Sequence, residues 1–254
     1  VQSVGHEWKL HGLGVPCQWV SGQNSGTQKE STPMNIKNVA VALVTLIASS
    51  AAQAQDGPPM PPEPPMQWRV EDGGNGHWYQ RVSLTNEVTW SDASQAAMAG
   101  SGHLVTLTSA AEQAWVQANF ITGHPTCSPA SWATPRAIWI GLYQDTTSPS
   151  YSEPSGGWRW VTDEPLAYSN WSASEPNNVD TPANFAGAYG NGSWDDTRND
   201  AGIYCHRGYV IEWSADCNND GIVDYGQILD GTFPDANNNG VPDCCDQGVP
   251  CSST

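Results

Sequence analysis

Apolar positions along the chain change their rhythm from one stretch to the next. Val39 to Ala48 is a continuous small and apolar run, with Thr45 its sole polar member. Trp78-Tyr79-Gln80-Arg81-Val82 alternates and predicts a strand. Thr89 to Ala93 opens an Ala-rich helix, with Thr89 as N-cap and Gly100 and Gly102 as its stop. His103 to Thr108 is a short β-type run. Ser109 caps a second helix, and Glu112 three residues on suggests a capping box. Ala111, Ala114, Trp115, Ala118 and Ile121 continue this helix at roughly helical spacing. From His124 to Asp200 the helix signal vanishes among Gly, Pro, Asn, Ser and Trp. It leaves only short β patches such as Ile138 to Leu142 and Trp158 to Val161. Tyr209 to Trp213 closes the pattern with an alternating strand. Two helices before a long loop-rich half predict one mixed α+β domain over residues 67–213.

The apolar run at Val39 has a different meaning. It follows Met34 and Lys37 and ends in Ala52-Gln53-Ala54, a small-x-small cleavage pattern. Residues 34–54 therefore read as a secretory signal peptide, with Gln55 as the first mature residue. The run is about half of the roughly 20 residues a bilayer-spanning helix needs, so it is not read as a membrane span. Residues 1–33 are then expected to be an upstream extension from a start site assigned too early. Residues 55–66 contain GPPMPPEPP, which favours an extended polyproline II linker.

Charge narrows the function classes. The 254 residues carry 26 acids against 9 Lys and Arg, a net charge of −17. A basic groove for nucleic acid is excluded by that balance. The 38% hydrophobic content and 13 Trp exclude a disordered acidic tail. Without residues 1–54 the seven cysteines become six, an even number that fits an oxidising compartment. Six cysteines allow 15 connectivities, so spacing leaves the pairing open.

The motifs now combine. Gly76-His77-Trp78-Tyr79, Thr89-Trp90-Ser91-Asp92-Ala93, Gly102-His103-Leu104-Val105 and Trp139-Ile140-Gly141-Leu142 come first. Trp158-Arg159-Trp160, Asn170-Trp171, Glu175-Pro176-Asn177, Trp194-Asp195-Asp196 and Val210-Ile211-Glu212-Trp213 follow. In this order and spacing the chain resembles the C-type lectin-like domain. The resemblance implies two helices flanking small antiparallel sheets and a long loop region that carries the binding site. It also implies that most of the Trp residues are core and loop-packing residues. The family's bridge from first helix to last strand is missing. Its positions correspond to Ala97 or a neighbour and Ile211, so packing is expected to replace it, and Cys127 with Cys205 is the pair suggested instead.

In that family, Glu-Pro-Asn and a later Trp-Asn-Asp hold one Ca²⁺ that two sugar hydroxyls complete. Carried over, Glu175, Asn177, Asp195 and Asp196 are the expected calcium and carbohydrate ligands, with Pro176 in a cis bond. Calcium takes six to eight oxygens, and Glu175, Asp195 and Asp196 supply three carboxylates. Two positions depart from the pattern. Asp195 stands where the family has Asn and can only accept hydrogen bonds. Ala183 stands where the family has a ligand Glu, with Asn184 beside it, and Asp180 is an alternative ligand. Glu-Pro-Asn implies mannose-type sugars with equatorial 3- and 4-hydroxyls. The family's second calcium site lacks most of its acids, which Asn178, Ala183 and Asn184 replace.

Composition shifts again over residues 214–254. Asp216, Asn218, Asp220, Gly221 and Asp224 match an EF-hand-type calcium loop, with Gln227 in the last position. Asp235, Asn237, Asn239, Gly240, Asp243 and Asp246 match a second. Tyr225 to Leu229 predicts a short helix between them. The unit resembles a compressed dockerin or a thrombospondin-type-3-like repeat. Cys217, Cys244, Cys245 and Cys251 are expected to staple it, since so small a unit lacks a sufficient core.

These residues point to a secreted, calcium-dependent carbohydrate-binding protein whose partners are glycans. The C-terminal module is expected to attach it to a surface or protein partner. The alternative is a protein-binding or structural C-type lectin-like domain without sugar. An enzyme is not expected, because histidines are few and no nucleophile–base motif is found.

Overall fold

The computed structural model describes residues 63–123, 136–179, 181–200 and 206–251. The expected signal peptide, the upstream extension, most of the linker, Cys127, Asp180 and Cys205 lie outside these residues.

Strand β1 (Met66–Gln67) pairs with β2 (Trp78–Ser83). Helix α1 (Trp90–Ala99) and the short β3 (His103–Leu104) follow. Helix α2 (Ala110–Val116) runs on into a π-helical turn at Gln117–Ile121. Then come β4 (Arg136–Gln144), β5 (Trp158–Trp160), β6 (Phe185–Tyr189), β7 (Trp194–Thr197) and β8 (Gly208–Trp213). Two small helices end the molecule, α3 (Asp224–Leu229) and α4 (Asp243–Asp246). Instead of separate antiparallel sheets, one sheet joins the strands in the order β1-β2-β8-β4-β6-β7, with β3 on β8 and β5 on β4. Its β4–β8 contact, Trp139 opposite Tyr209, is parallel.

Alternation explains the core. Ile138, Ile140 and Leu142 of β4 and Val210 of β8 enter one apolar cluster with Val116, Phe120, Trp160 and Trp194. Trp139 of β4 and Tyr209, Ile211 and Trp213 of β8 enter a second cluster with Trp90, Ala93 and Ala97 of α1. Successive strand residues face opposite sides, and both sides are covered. The strand at Tyr209 is thus buried along its whole length rather than half exposed. Ala97 and Ile211 share the second cluster, so packing occupies the place where the family has a disulfide.

Both helices start as the caps dictate. Thr89 Oγ1 accepts from Asp92 N–H at 3.0 Å, and Ser109 Oγ from Glu112 N–H at 3.1 Å. The second cap departs from a capping box, because Glu112 does not reach back to Ser109. Its carboxylate accepts from Thr108 N–H (2.7 Å), Thr108 Oγ1 (2.8 Å), Tyr79 Oη (2.8 Å) and Asn75 Nδ2 (2.9 Å). The buried face of this helix is therefore Glu112, Gln113 and Val116, continued by Phe120 and Ile121. Ala111, Ala114 and Ala118 are exposed, contrary to the expected stripe. Glu212 is fully buried nearby, accepting from Thr106 N–H (2.8 Å) and Oγ1 (3.0 Å), with His77 Nδ1 at 2.6 Å. Burial alone would lower the His77 pKa. The hydrogen bond and charge of Glu212, with Glu112 and Glu164 behind it, outweigh that and raise it.

Residues 214–251 pack on the same domain. Val223 joins the second core cluster, and Tyr225 meets Trp78 edge-on, with ring centroids 5.7 Å apart. Ser101 Oγ donates to Asn239 O at 2.7 Å. Disulfides join Cys217 to Cys245 and Cys244 to Cys251, which settles the pairing of four cysteines.

Candidate functional site

The site is built on the β6–β7 hairpin, where Ala186 pairs with Asp196 and Gly187 with Asp195. Trp194, fully buried, anchors it by donating from Nε1 to Gln113 Oε1 at 2.8 Å. The indole also meets Trp160 and Trp171 edge-on. Trp194 pins the preceding loop as well: its N–H donates to Asn170 O, and its carbonyl accepts from Ser172 N–H, each at 2.8 Å. Ser172 O in turn accepts from Glu175 N–H at 3.0 Å. The loop returns through a cis Glu175–Pro176 bond, as the resemblance implied.

Three expected residues converge there. Carboxylate oxygens of Glu175, Asp195 and Asp196 all lie within 4.8 Å of one another. Asp195 and Asp196 are each 2% exposed. Asp196 is held by two backbone donors, Asn177 N–H to Oδ1 (2.8 Å) and Asn178 N–H to Oδ2 (2.7 Å). Asn177 is next to the cluster, but its side-chain Oδ1 accepts from Val179 N–H at 2.7 Å. Burial, followed by the neighbouring Asp196 and Asp195 carboxylates, pushes the Glu175 carboxyl up to about 8. Like charges this close disfavour joint ionisation. Glu175 Oε2 is buried with no hydrogen-bond partner. The donor set is hard oxygen carrying up to three negative charges, which fits a hard divalent cation.

Ala183 is fully buried, and its N–H donates to Asn178 Oδ1 at 3.0 Å. This bond ties the two sides of the loop together and gives Asn178 an orienting role that the motifs did not reveal. Its signal in the sequence is an Asn where the backbone turns left-handed, at φ 51°. Asn184 Oδ1 is buried without a partner.

The C-terminal loops share one geometry. Gly221 N–H donates to Asp216 Oδ2 and Gly240 N–H to Asp235 Oδ2, both at 2.8 Å. Asp220 N–H donates to Asp216 and Asn218, and Asn239 N–H to Asp235 and Asn237. Asp224 accepts from Cys217 N–H, and Asp243 from Ala236 N–H. The last positions differ. Gln227 Nε2 donates to Asp220, whereas Asp246 accepts from the side chains of Asn237 and Asn239. Each loop is thus tied by side-chain bonds to its own backbone, but its carboxylates do not converge as those of Glu175, Asp195 and Asp196 do.

Comparison with known proteins bears on the first site. A model of the lectin C-type domain matches residues 86–205, which include all four of its expected ligands. The fold is the C-type lectin fold. Human asialoglycoprotein receptor 2 is 28% identical over 45% of this chain and 29% of its own. Bovine lithostathine is 33% identical over 37% of this chain and 48% of its own. The chain therefore spans about a third to a half of the length of these curated relatives. Among solved structures, the cow CD23 C-type carbohydrate-recognition domain is 23% identical. The match covers 62% of this chain and 98% of that one, with a TM-score of 0.44. Among the described residues no helix is long and apolar enough to cross a membrane.

Proposed function

We propose that this is a secreted, calcium-dependent carbohydrate-binding protein. The observation that carries this reading is the convergence of Glu175, Asp195 and Asp196 with an unpartnered, buried Glu175 oxygen. In this reading Glu175, Asp195 and Asp196 would hold Ca²⁺, and the Asn177 side chain, which accepts from Val179 N–H, would be a further oxygen donor. When bound, the ion supplies a Lewis-acidic centre that two vicinal sugar hydroxyls can share. Asp195 and Asp196 would then also accept hydrogen bonds from those hydroxyls. The intact Glu175-Pro176-Asn177 motif favours mannose-type sugars. Asp216, Asn218, Asp220 and Asp224, and Asp235, Asn237, Asn239, Asp243 and Asp246, form two further calcium loops in this proposal. The module that they build serves attachment to a surface or protein partner. The protein is read as a binder and not as a catalyst, because its clustered acids are accounted for as cation ligands.

The second reading is a protein-binding or structural domain without sugar, and a specific observation favours it. Ala183 has no side-chain acceptor where the resemblance expects Glu, and its N–H is taken by Asn178. A glycan array probed with Ca²⁺ and again with a chelator separates the two. Chelator-sensitive binding that is lost in Asn177→Ala supports the lectin. Absence of any glycan signal, with calcium still binding, supports the second reading.

A further inference from the structure

The two disulfides of the C-terminal unit touch. Cys245 Sγ, bonded to Cys217, lies 3.6 Å from Cys251 Sγ, which is bonded to Cys244. That is van der Waals contact between sulfurs of different bridges. Cys217 is exposed, and a cleft of about 640 Å³ lined by Cys217, Cys245, Cys251, Asn218 and Val249 opens onto them. Disulfide exchange needs a thiolate, a reachable sulfur and a leaving sulfur, and this cleft holds the last two in a connected row.

We propose that this cleft is a thiol-exchange site, at which a low-molecular-weight thiol catalyses conversion of the two bridges to the alternative disulfide pairing. The thiolate attacks Cys217 Sγ, forms a mixed disulfide and expels the Cys245 thiolate. Cys245 attacks the adjacent Cys251 Sγ, forming Cys245–Cys251 and expelling the Cys244 thiolate. Cys244 attacks the mixed disulfide at Cys217, forming Cys217–Cys244 and returning the small thiol. Two disulfides are present before and after, so no net oxidant or reductant is consumed and the thiol acts catalytically.

The consequence is local and mechanical. Cys244 and Cys245 are neighbours on α4, between Asp243 and Asp246 of the second loop. Consecutive helical residues point about 100° apart. Moving the Cys217 bridge from one to the other therefore turns α4, and with it the carboxylates that contact Ala236, Asn237 and Asn239. This proposal stands independently of calcium.

The test uses the full chain with Cys244→Ser, which leaves the Cys251 thiol beside the Cys217–Cys245 bridge. Digestion before aspartates places Cys217, Cys245 and Cys251 on separate peptides. Mass spectrometry after an acid quench from pH 8, with no added thiol, is expected to find both Cys217–Cys245 and Cys245–Cys251. A sole Cys217–Cys245 linkage with a free Cys251 would overturn the proposal. The unmutated chain covers the case in which the variant misfolds. With sub-stoichiometric glutathione, electron-transfer fragmentation should show Cys217–Cys244 and Cys245–Cys251 increasing. A pairing unchanged from the thiol-free control would equally reject it.

Discussion

Tyr225 of α3 lies flat against Trp213 of β8, with ring centroids 4.2 Å apart and planes 20° apart. The contact joins the acidic C-terminal unit to the last strand of the lectin-fold sheet, and Trp78, the cross-strand partner of Trp213, meets the same Tyr225 ring edge-on. A stacked aromatic pair contributes about 0.5–1.5 kcal/mol beyond the apolar area it buries. Tyr225→Ala should therefore destabilise the protein by about 2–4 kcal/mol, since truncating a buried aromatic to Ala costs about 3–5 and this ring is only half-buried. Denaturant unfolding followed by Trp fluorescence checks the value. Loss of far less than 1 kcal/mol would mean that the unit is not held by this stack.

His77 predicts a pH dependence. Its pKa is raised in the folded state by the buried Glu212 carboxylate, against the opposing effect of burial. A raised imidazole pKa means that the folded state binds more protons between the unfolded value, about 6.5, and the higher native one. Its stabilising contribution is complete below pH 6.5 and is lost as pH rises through the native pKa. Urea unfolding measured from pH 6 to pH 9 should show stability falling in that window. In His77→Gln this part of the slope should disappear. An unchanged slope would place the proton elsewhere.

How much of this was legible in the sequence depends on the physics behind each feature. Thr89 and Ser109 identified both helix starts, because a cap is a local bond between a side chain and a backbone three residues on. The face of α2 was misread, because Glu112 and Gln113 look like surface residues until partners from distant segments meet them. Tyr79, Asn75 and Trp194 supply those bonds across more than 30 residues of sequence. Likewise β6 went unseen: Phe185 to Tyr189 is mostly small residues, and only pairing with β4 and β7 makes it a strand. At the site, the motif spacing located Glu175, Asp195 and Asp196. It did not reveal that Asn178 fixes the loop through Ala183 N–H, because that bond spans five residues whose path the motifs do not set.

The carboxylate cluster predicts a change of sign. Without a cation, burial and the neighbouring carboxylates hold Glu175 protonated at pH 7, and that proton uptake on folding costs stability, so Glu175→Gln should stabilise the protein in chelator at pH 7 by at least about 1 kcal/mol. With calcium in excess the same change should weaken binding at least tenfold. The calcium-induced rise in Tm should shrink accordingly. Differential scanning calorimetry with and without chelator measures both arms. Destabilisation of equal size in the two conditions would mean that Glu175 serves packing and not a metal.

Gly221 and Gly240 occupy equivalent turns at φ 84° and φ 77°, but their surroundings differ. A Cβ on Gly221 meets nothing within 4 Å, so Gly221→Ala should cost only the left-handed backbone penalty, about 1–2 kcal/mol. A Cβ on Gly240 would overlap the Ser101 side chain, whose hydroxyl binds Asn239 O and ties the second loop to the end of α1. Gly240→Ala must therefore push the loop off the domain as well, and it should lower Tm by clearly more than Gly221→Ala. Adding Ser101→Gly removes the obstructing side chain in Gly240→Ala; because Ser101 itself sits at φ 63°, the change also relieves a left-handed penalty in either background, so it should recover clearly more in Gly240→Ala than in Gly221→Ala. Thermal unfolding of the four variants checks this, and equal losses for the two glycines would show that Ser101 does not hold the second loop.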